Sequence, residues 1–210
     1  MTMKPRLSKL ILTSHITFSV GWLGAVAVFL VLAITGITSN DTQLARASYF
    51  AMELSAWFVI IPLCIASLLT GIVQSMGTKW GLFKYYWIIV KLFLTLAVTI
   101  LLLLHMQPIS YLAGIATDTS FSNTTEFGLR IQIIIQAGAA ILVLLAATAI
   151  SVYKPWGKIQ PRLNNNNEYI LIQGKVGTKK SLGFYIIAGV IILVIIFLIM
   201  HLLGGGMGNH

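Results

Sequence analysis

Long apolar blocks alternate with short polar segments along most of the chain. Five blocks are long enough to cross a bilayer, because a helix needs roughly 20 apolar residues to span a hydrocarbon core about 30 Å thick. The pattern therefore predicts an all-α fold, a polytopic transmembrane helix bundle that forms one domain. The five predicted spans cover about residues 10–37, 49–73, 85–104, 131–152 and 182–203.

Two connecting segments stand out by length and composition. The segment 107–128 is rich in Ser, Thr and Asn, and its composition predicts an irregular outer loop. The inner loop, 153–181, contains a run of four asparagines and the strand-like sequence "YILI". Pro155 and Pro161 are expected to end the fourth helix, since proline cannot continue a helix.

Small residues and one proline shape the second span. Ser67 and Gly71 stand four residues apart, a spacing that lets helix backbones approach closely in lipid. Pro62 lies inside the same span and is expected to kink it.

The distribution of basic residues predicts the orientation. The chain is 58% hydrophobic and only 9% charged, with a net charge of +9. Most Lys and Arg residues fall in segments on the N-terminal side of the bundle, whereas Arg46 and Arg130 fall on the other side. The positive-inside rule therefore predicts an inner N-terminus and an outer C-terminus. The positive charge is expected to meet lipid rather than nucleic acid.

Several classes of function lack any signal. Cys64 is the single cysteine, so an internal disulfide is excluded. Nucleotide-binding loops, nucleophile triads, carboxylate pairs and CxxC motifs are absent from the sequence. These absences disfavour a hydrolase acting on a soluble substrate.

Two ionisable residues fall at one depth near the inner side. At about 1.5 Å per residue, His15 and Lys91 each lie roughly 10 Å into the inner leaflet. The matched depth predicts that their side chains approach each other. Because an ionisable group inside a span is costly, the pair is a candidate functional site. The alternative is that Lys91 extends along its own stem to the inner surface.

A second polar level is predicted near the outer boundary. His105 and His201 each stand 21 residues beyond the last inner lysine, which places both about 31 Å up the bundle. Glu53 in the second span and Arg130 at the start of the fourth are predicted to share this level. Ordinary interfacial histidine is the alternative interpretation.

Methionines accompany the histidines on the outer side. Thioether and imidazole ligands together suit copper(I), and histidine with histidine or methionine suits haem iron. The alternative is that methionine only fills gaps in apolar helices. The candidate metal ligands are His105, His201, Met106, Met200, Met207 and His210.

Three stretches carry a resemblance to known proteins. The runs "HITFSVGWLGAVAVFLVLAITG", "TGIVQSMGTKWGLFKYYWIIVKLFLTLAVTILLLLH" and "SVYKPWGK" resemble a family of bacterial integral membrane proteins of unknown function. More distantly, the spacing of His15, Trp22 and Gly24 resembles the first helix of copper resistance protein D. The resemblance implies a location in the bacterial cytoplasmic (inner) membrane.

The third span extends the resemblance. With Trp87, Lys91 and His105, the pattern is also similar to the membrane-bound protoporphyrinogen oxidase of bacteria, which carries a histidine in its first helix and a lysine in its third and binds haem. This likeness implies that His15 and Lys91 form the functional pair.

Three hypotheses follow. The first is a haem b-binding protein with a redox or tetrapyrrole-handling role, in which His105 and His201 ligate iron and Arg130 pairs with a propionate. His15 and Lys91 would then hold a propionate, a quinone or a proton. The second is a copper-handling protein with outer Met and His ligands. The third is a structural or interaction protein without a cofactor.

The third span links the two polar levels. Lys91 and His105 are 14 residues apart, which leaves an angular offset of only about 40° and a separation of about 21 Å. One cofactor cannot take both as ligands, so two separate sites are predicted. On that basis, His105→Ala should remove an outer ligand signal that Lys91→Ala spares. The predicted inward stripe is Lys84, Trp87, Lys91, Leu94, Val98, Leu102 and His105.

Overall fold

The computed structural model describes residues 3–77, 85–117, 126–153, 162–163 and 169–170. Within these ranges the fold is a bundle of long α-helices, as predicted. Four helical stretches are long and apolar enough to cross a membrane: Pro5–Thr38, Thr42–Gly77, Tyr86–Ile115 and Phe127–Tyr153. The fifth predicted span lies outside the described residues, and so do Lys84, Met200, His201, Met207 and His210.

The first helix, α1, runs from Pro5 to Thr38. Pro5 suits this start because the first turn of a helix needs no N–H donor there. A short turn then leads to α2, Thr42–Ser55, whose N-terminus is capped by Asp41. The Asp41 carboxylate accepts a 2.8 Å hydrogen bond from the backbone N–H of Gln43, which satisfies one of the donors that a helix start leaves open.

The second membrane-crossing stretch contains a wider turn. A π-helical segment, Ala56–Ile60, joins α2 to α3, which covers Ile61–Gly77. Within it the backbone N–H of Ile61 donates to the carbonyl of Ala56, one residue further back than in an α-helix. Pro62 follows directly and supplies no N–H for the preceding turn. The irregularity predicted at Pro62 takes the form of this π turn.

The helix α4, Tyr86–Ile115, is longer than predicted. The prediction that the third span ends at 104 and that an irregular loop begins at 107 was wrong. Pro108 lies inside the helix and removes one backbone hydrogen bond. The buried side chains of Ile109, Leu112 and Ala113 continue the apolar face beyond it, and their burial outweighs that loss.

The extension places His105 inside α4 rather than at its end. This residue lies ten positions before the end of α4, which corresponds to about 15 Å of helix. Because α4 is longer than a hydrocarbon core is thick, its ends do not fix the membrane boundary, and the position of His105 at the outer boundary stays a prediction. His105 is a buried residue in the C-terminal half of α4.

The helices pack around α1, which contacts α2, α3 and α5, Phe127–Tyr153. The helix α4 packs against α5, α2 and α3 and closes the bundle. Many large apolar side chains point outward, as expected for helices that face lipid. Beyond α5, Arg162–Leu163 pairs antiparallel with Tyr169–Ile170, which confirms a strand at the start of "YILI".

Candidate functional site

His15 and Lys91 meet between α1 and α4. The Lys91 Nζ atom lies 3.3 Å from His15 Nε2, within hydrogen-bonding distance. The predicted approach of these two side chains is confirmed. Lys91 therefore turns to a partner inside the bundle, and the alternative in which it only extends to the inner surface is not the arrangement observed.

The other ring nitrogen of His15 fixes its hydrogen-bonding state. His15 Nδ1 lies 3.0 Å from the carbonyl oxygen of Ser67 in α3. A carbonyl only accepts, so Nδ1 carries the hydrogen and donates it. The Thr70 hydroxyl, 3.2 Å from Nδ1, gives its own hydrogen to the carbonyl of Ala66. In the neutral ring, Nε2 consequently keeps a lone pair and accepts from the Lys91 ammonium.

Gly71 makes room for the His15 ring. A Cβ atom at this position would lie 2.9 Å from His15 Cε1, closer than carbon atoms tolerate. Beside it, the hydroxyls of Ser67 and Ser19 are 2.8 Å apart and join α3 to α1. Ser67 and Gly71 were predicted only as small residues for helix packing. Their spacing shows close approach, but it did not reveal that the approaching group is a histidine.

A large cavity surrounds this pair, with a volume of about 620 Å³. It lies at the end of the bundle where α1 and α4 begin and where α3 and α5 end. Its polar lining includes Ser19, Thr95, Thr148 and Ser151, and apolar side chains form the rest of the wall. Pockets for small molecules and cofactors usually measure 300–1,000 Å³, so this cavity has the size of a ligand site. We call it the inner cavity.

His105 lies in a different and smaller space. With Trp22, Gln136 and apolar side chains of α1, α4 and α5, it lines a cavity of about 80 Å³. This volume suffices for a few water molecules. The Nδ1 atom of His105 hydrogen-bonds the Leu101 carbonyl one turn earlier, so Nδ1 is the donor. We call this space the outer cavity.

Lys91 and His105 line different cavities along α4. Lys91 lines only the inner cavity and His105 only the outer one. Along the predicted stripe, Leu94, Val98 and His105 are buried, and Trp87 and Leu102 are half-buried. Trp22 lines both cavities and is 2% exposed.

Arg130 and Glu53 do not line the cavity beside His105. Arg130 is 2% exposed, and its Cζ atom lies 5.1 Å from the ring centroid of Tyr49, a cation–π arrangement. That ring in turn lies against Gly36, where a Cβ atom would come within 2.8 Å of it. Arg130 thus belongs to a packed contact of α5, α2 and α1. The predicted grouping of Glu53, His105 and Arg130 at one site stays a prediction, because the lining of this cavity does not test it.

The predicted metal ligands are only partly within the described residues. Among these residues, no three His, Cys, Asp or Glu side chains form a group that could hold a metal ion. Met106 is buried beside His105 in the sequence, while Met200, His201, Met207 and His210 lie outside the described residues. Copper binding and the pairing of His105 with His201 therefore stay predictions.

Sequence reasoning missed two features of the cavities. It did not identify Trp22 as a side chain that lines both cavities, although a tryptophan inside a span is a large side chain around which the other helices must pack. It also gave no sign that the Gln136 amide is buried without a hydrogen-bond partner among the described residues. Comparisons with protein-family models, curated proteins and solved structures find no match to this chain.

Proposed function

We propose that this chain is a multi-pass membrane protein that binds haem b or a closely related tetrapyrrole in the inner cavity and has a redox or tetrapyrrole-handling role. The observation that carries the proposal is the state of His15. Its Nδ1 hydrogen is engaged by a backbone carbonyl, its Nε2 lone pair accepts from Lys91, and both side chains line the inner cavity. Metal-ligating histidines are commonly held in this way by a hydrogen bond from the other ring nitrogen.

The residues around the inner cavity suit such a group. His15 Nε2 would be the iron ligand, and Gly71 would keep the ring in place. Lys91 now donates to Nε2, but its ammonium is carried on a flexible four-carbon stem. On ligand binding it would leave Nε2 and pair with a propionate carboxylate. When bound, haem iron supplies one-electron redox chemistry.

Size favours the inner cavity over the outer one for this role. The inner cavity, at about 620 Å³, has the dimensions of a cofactor pocket, while the space beside His105 measures about 80 Å³. The inner cavity also has contributions from four helices, which gives a macrocycle walls on several sides. This argument moves the proposed ligand from the pair His105–His201 to His15.

We also propose five spans in the bacterial cytoplasmic membrane, with the N-terminus inside. The support is the asymmetric distribution of lysine and arginine and the fifth apolar block at 182–203. The inner cavity would then open toward the cytoplasmic side. Reporter fusions at Asn165 and at His210 should report opposite sides of the membrane, and a common side for both would refute the five-span arrangement.

The cofactor proposal is tested by the visible spectrum of the purified protein, as isolated and after titration with haemin. A Soret band that is retained in His105→Ala and lost or shifted in His15→Ala is expected. His105→Ala is the matched control, because it removes a buried histidine from the same bundle. The opposite result would return the ligand to the outer pair. A colourless protein that takes up no haemin would overturn the proposal.

A further inference from the structure

Gln136 is a buried amide without a partner in the described part of the chain. The side chain is 8% exposed, and neither its Oε1 nor its Nε2 atom forms a hydrogen bond. A buried amide that is left unsatisfied is strongly unfavourable, and native proteins nearly always supply a partner, either from the protein or from ordered water. The neighbouring groups on α1 and α4 are largely apolar side chains and do not supply one.

The outer cavity lies directly against this amide. Gln136 is part of its lining, together with the ring of His105 and with Trp22. The volume of about 80 Å³ exceeds what one water molecule needs, but it excludes a cofactor or any drug-sized molecule. A molecule bound in this cavity must therefore be small. It must also both donate and accept hydrogen bonds, because the amide offers one acceptor and one donor group.

We infer that the outer cavity is a hydrated site in which two or three ordered water molecules (about 30 Å³ each in the liquid) hydrogen-bond to the Gln136 amide beside His105. The inference stands independently of the proposed cofactor, since it rests on Gln136 and on the volume next to it. Water is the ligand that meets both conditions of size and hydrogen bonding.

The water at Gln136 lies close to the inner cavity. Among the described residues, Trp22 is the one side chain that lines both cavities. The water at Gln136 and the inner cavity therefore share the indole ring of Trp22 as part of their walls. It adds hydrogen-bonding groups to the part of the core that holds the buried His105 ring.

Nuclear magnetic resonance in nanodiscs tests the inference directly. In protein labelled with ¹⁵N-glutamine, the side-chain signal of Gln136 is assigned as the one that is lost in Gln136→Leu and, separately, in Gln136→Met. We expect magnetisation transfer from water to this amide despite its burial. An assigned Gln136 signal without any transfer from water would mean a dry cavity and would overturn the inference.

Thermal stability gives an independent test, because a hydrated and a dry cavity predict changes of opposite sign in the Tm of Gln136→Leu. If water satisfies the amide, Gln136→Leu removes hydrogen bonds and should lower the Tm by a few degrees. If the cavity is dry, the same change removes an unsatisfied polar group and should raise the Tm. Gln132→Leu, on the same helix but outside both linings, is the matched control. A Tm that rises in Gln136→Leu and not in Gln132→Leu would also overturn the inference.

Discussion

The inner and outer cavities are built from the same helices but differ in how their histidines are held. In the inner cavity, the Nδ1 atom of His15 is bound by a carbonyl of another helix, and its Nε2 atom meets Lys91. In the outer cavity, the Nδ1 atom of His105 is bound by its own helix, one turn back. A histidine tied to a second helix has its orientation set by tertiary packing, which is what a ligand site requires.

The two cavities also differ in volume and in the polarity of their walls. The inner cavity is large and carries an amine and several hydroxyls, whereas the outer cavity is small and apolar except for His105 and Gln136. The comparison indicates that histidine alone does not mark the site for a large ligand in this bundle. The two histidines differ in the hydrogen bond that orients the ring and in the volume of the adjacent cavity, and both differences favour His15 as the proposed ligand.

The largest expected effect comes from removing the wall between the cavities. Trp22→Ala should destabilise the protein by about 3–5 kcal/mol, the usual cost of deleting a buried tryptophan, and should merge the two spaces. Phe29→Ala is the control, because Phe29 is buried and lines only the outer cavity. Thermal unfolding in detergent and haemin titration of both variants provide the measurements.

The two truncations should separate clearly in ligand binding. Trp22→Ala should weaken haemin binding, since it alters the inner wall, and Phe29→Ala should leave it unchanged while still lowering the Tm. If Phe29→Ala weakens haemin binding as much as Trp22→Ala, the cavities are not distinct in function. If Trp22→Ala does not fold, Trp22→Phe removes less of the side chain and allows the same comparison of haemin binding in a more stable protein.

The second effect concerns the support of His15. Gly71→Ala should lower haemin affinity at least tenfold. The added Cβ would lie 2.9 Å from Cε1 of His15 and would displace the ring, so that Nε2 could no longer reach the ligand in its present position. Gly24→Ala is the matched control in a span, since a Cβ there meets nothing within 4 Å. Equal haemin affinity in Gly71→Ala and the wild type would show that the seating of His15 is not needed for binding.

The described spans and the meeting of His15 with Lys91 were predictable from the sequence for a simple reason. Span length follows from membrane thickness, and depth follows from the rise of 1.5 Å per residue. These quantities are local to one helix. The end of α4 was not predicted correctly, because burial of Ile109 and Leu112 carries the helix past Pro108.

The remaining features of the site depend on packing between helices. The carbonyl of Ser67 is a backbone group, so no side-chain pattern could mark it as the partner of His15. The position of Arg130 was assigned by depth alone, yet its contact with Tyr49 depends on which faces of α5 and α2 meet. Cavity volumes likewise arise from the sum of many side chains on several helices.

The smallest effect is expected for Lys91, whose proposed role in the inner cavity is to pair with a carboxylate rather than to ligate iron. Lys91→Met keeps most of the side-chain volume and removes the charge, so a propionate would lose its cationic partner. We expect about a tenfold lower haemin affinity, which corresponds to about 1.4 kcal/mol. The Soret position should be unchanged, because His15 would still be the ligand.

The control for this change is Lys9→Met, which removes an exposed lysine near the N-terminus of α1, outside the cavity lining. It separates the specific pairing from a general loss of positive charge near the membrane surface. Lys91→Arg should restore much of the affinity if a carboxylate is the partner, since a guanidinium pairs with it well. A shifted Soret band in Lys91→Met, with its intensity retained, would instead make Lys91 part of the iron coordination and would remove the distinction between ligand and counter-ion in this cavity.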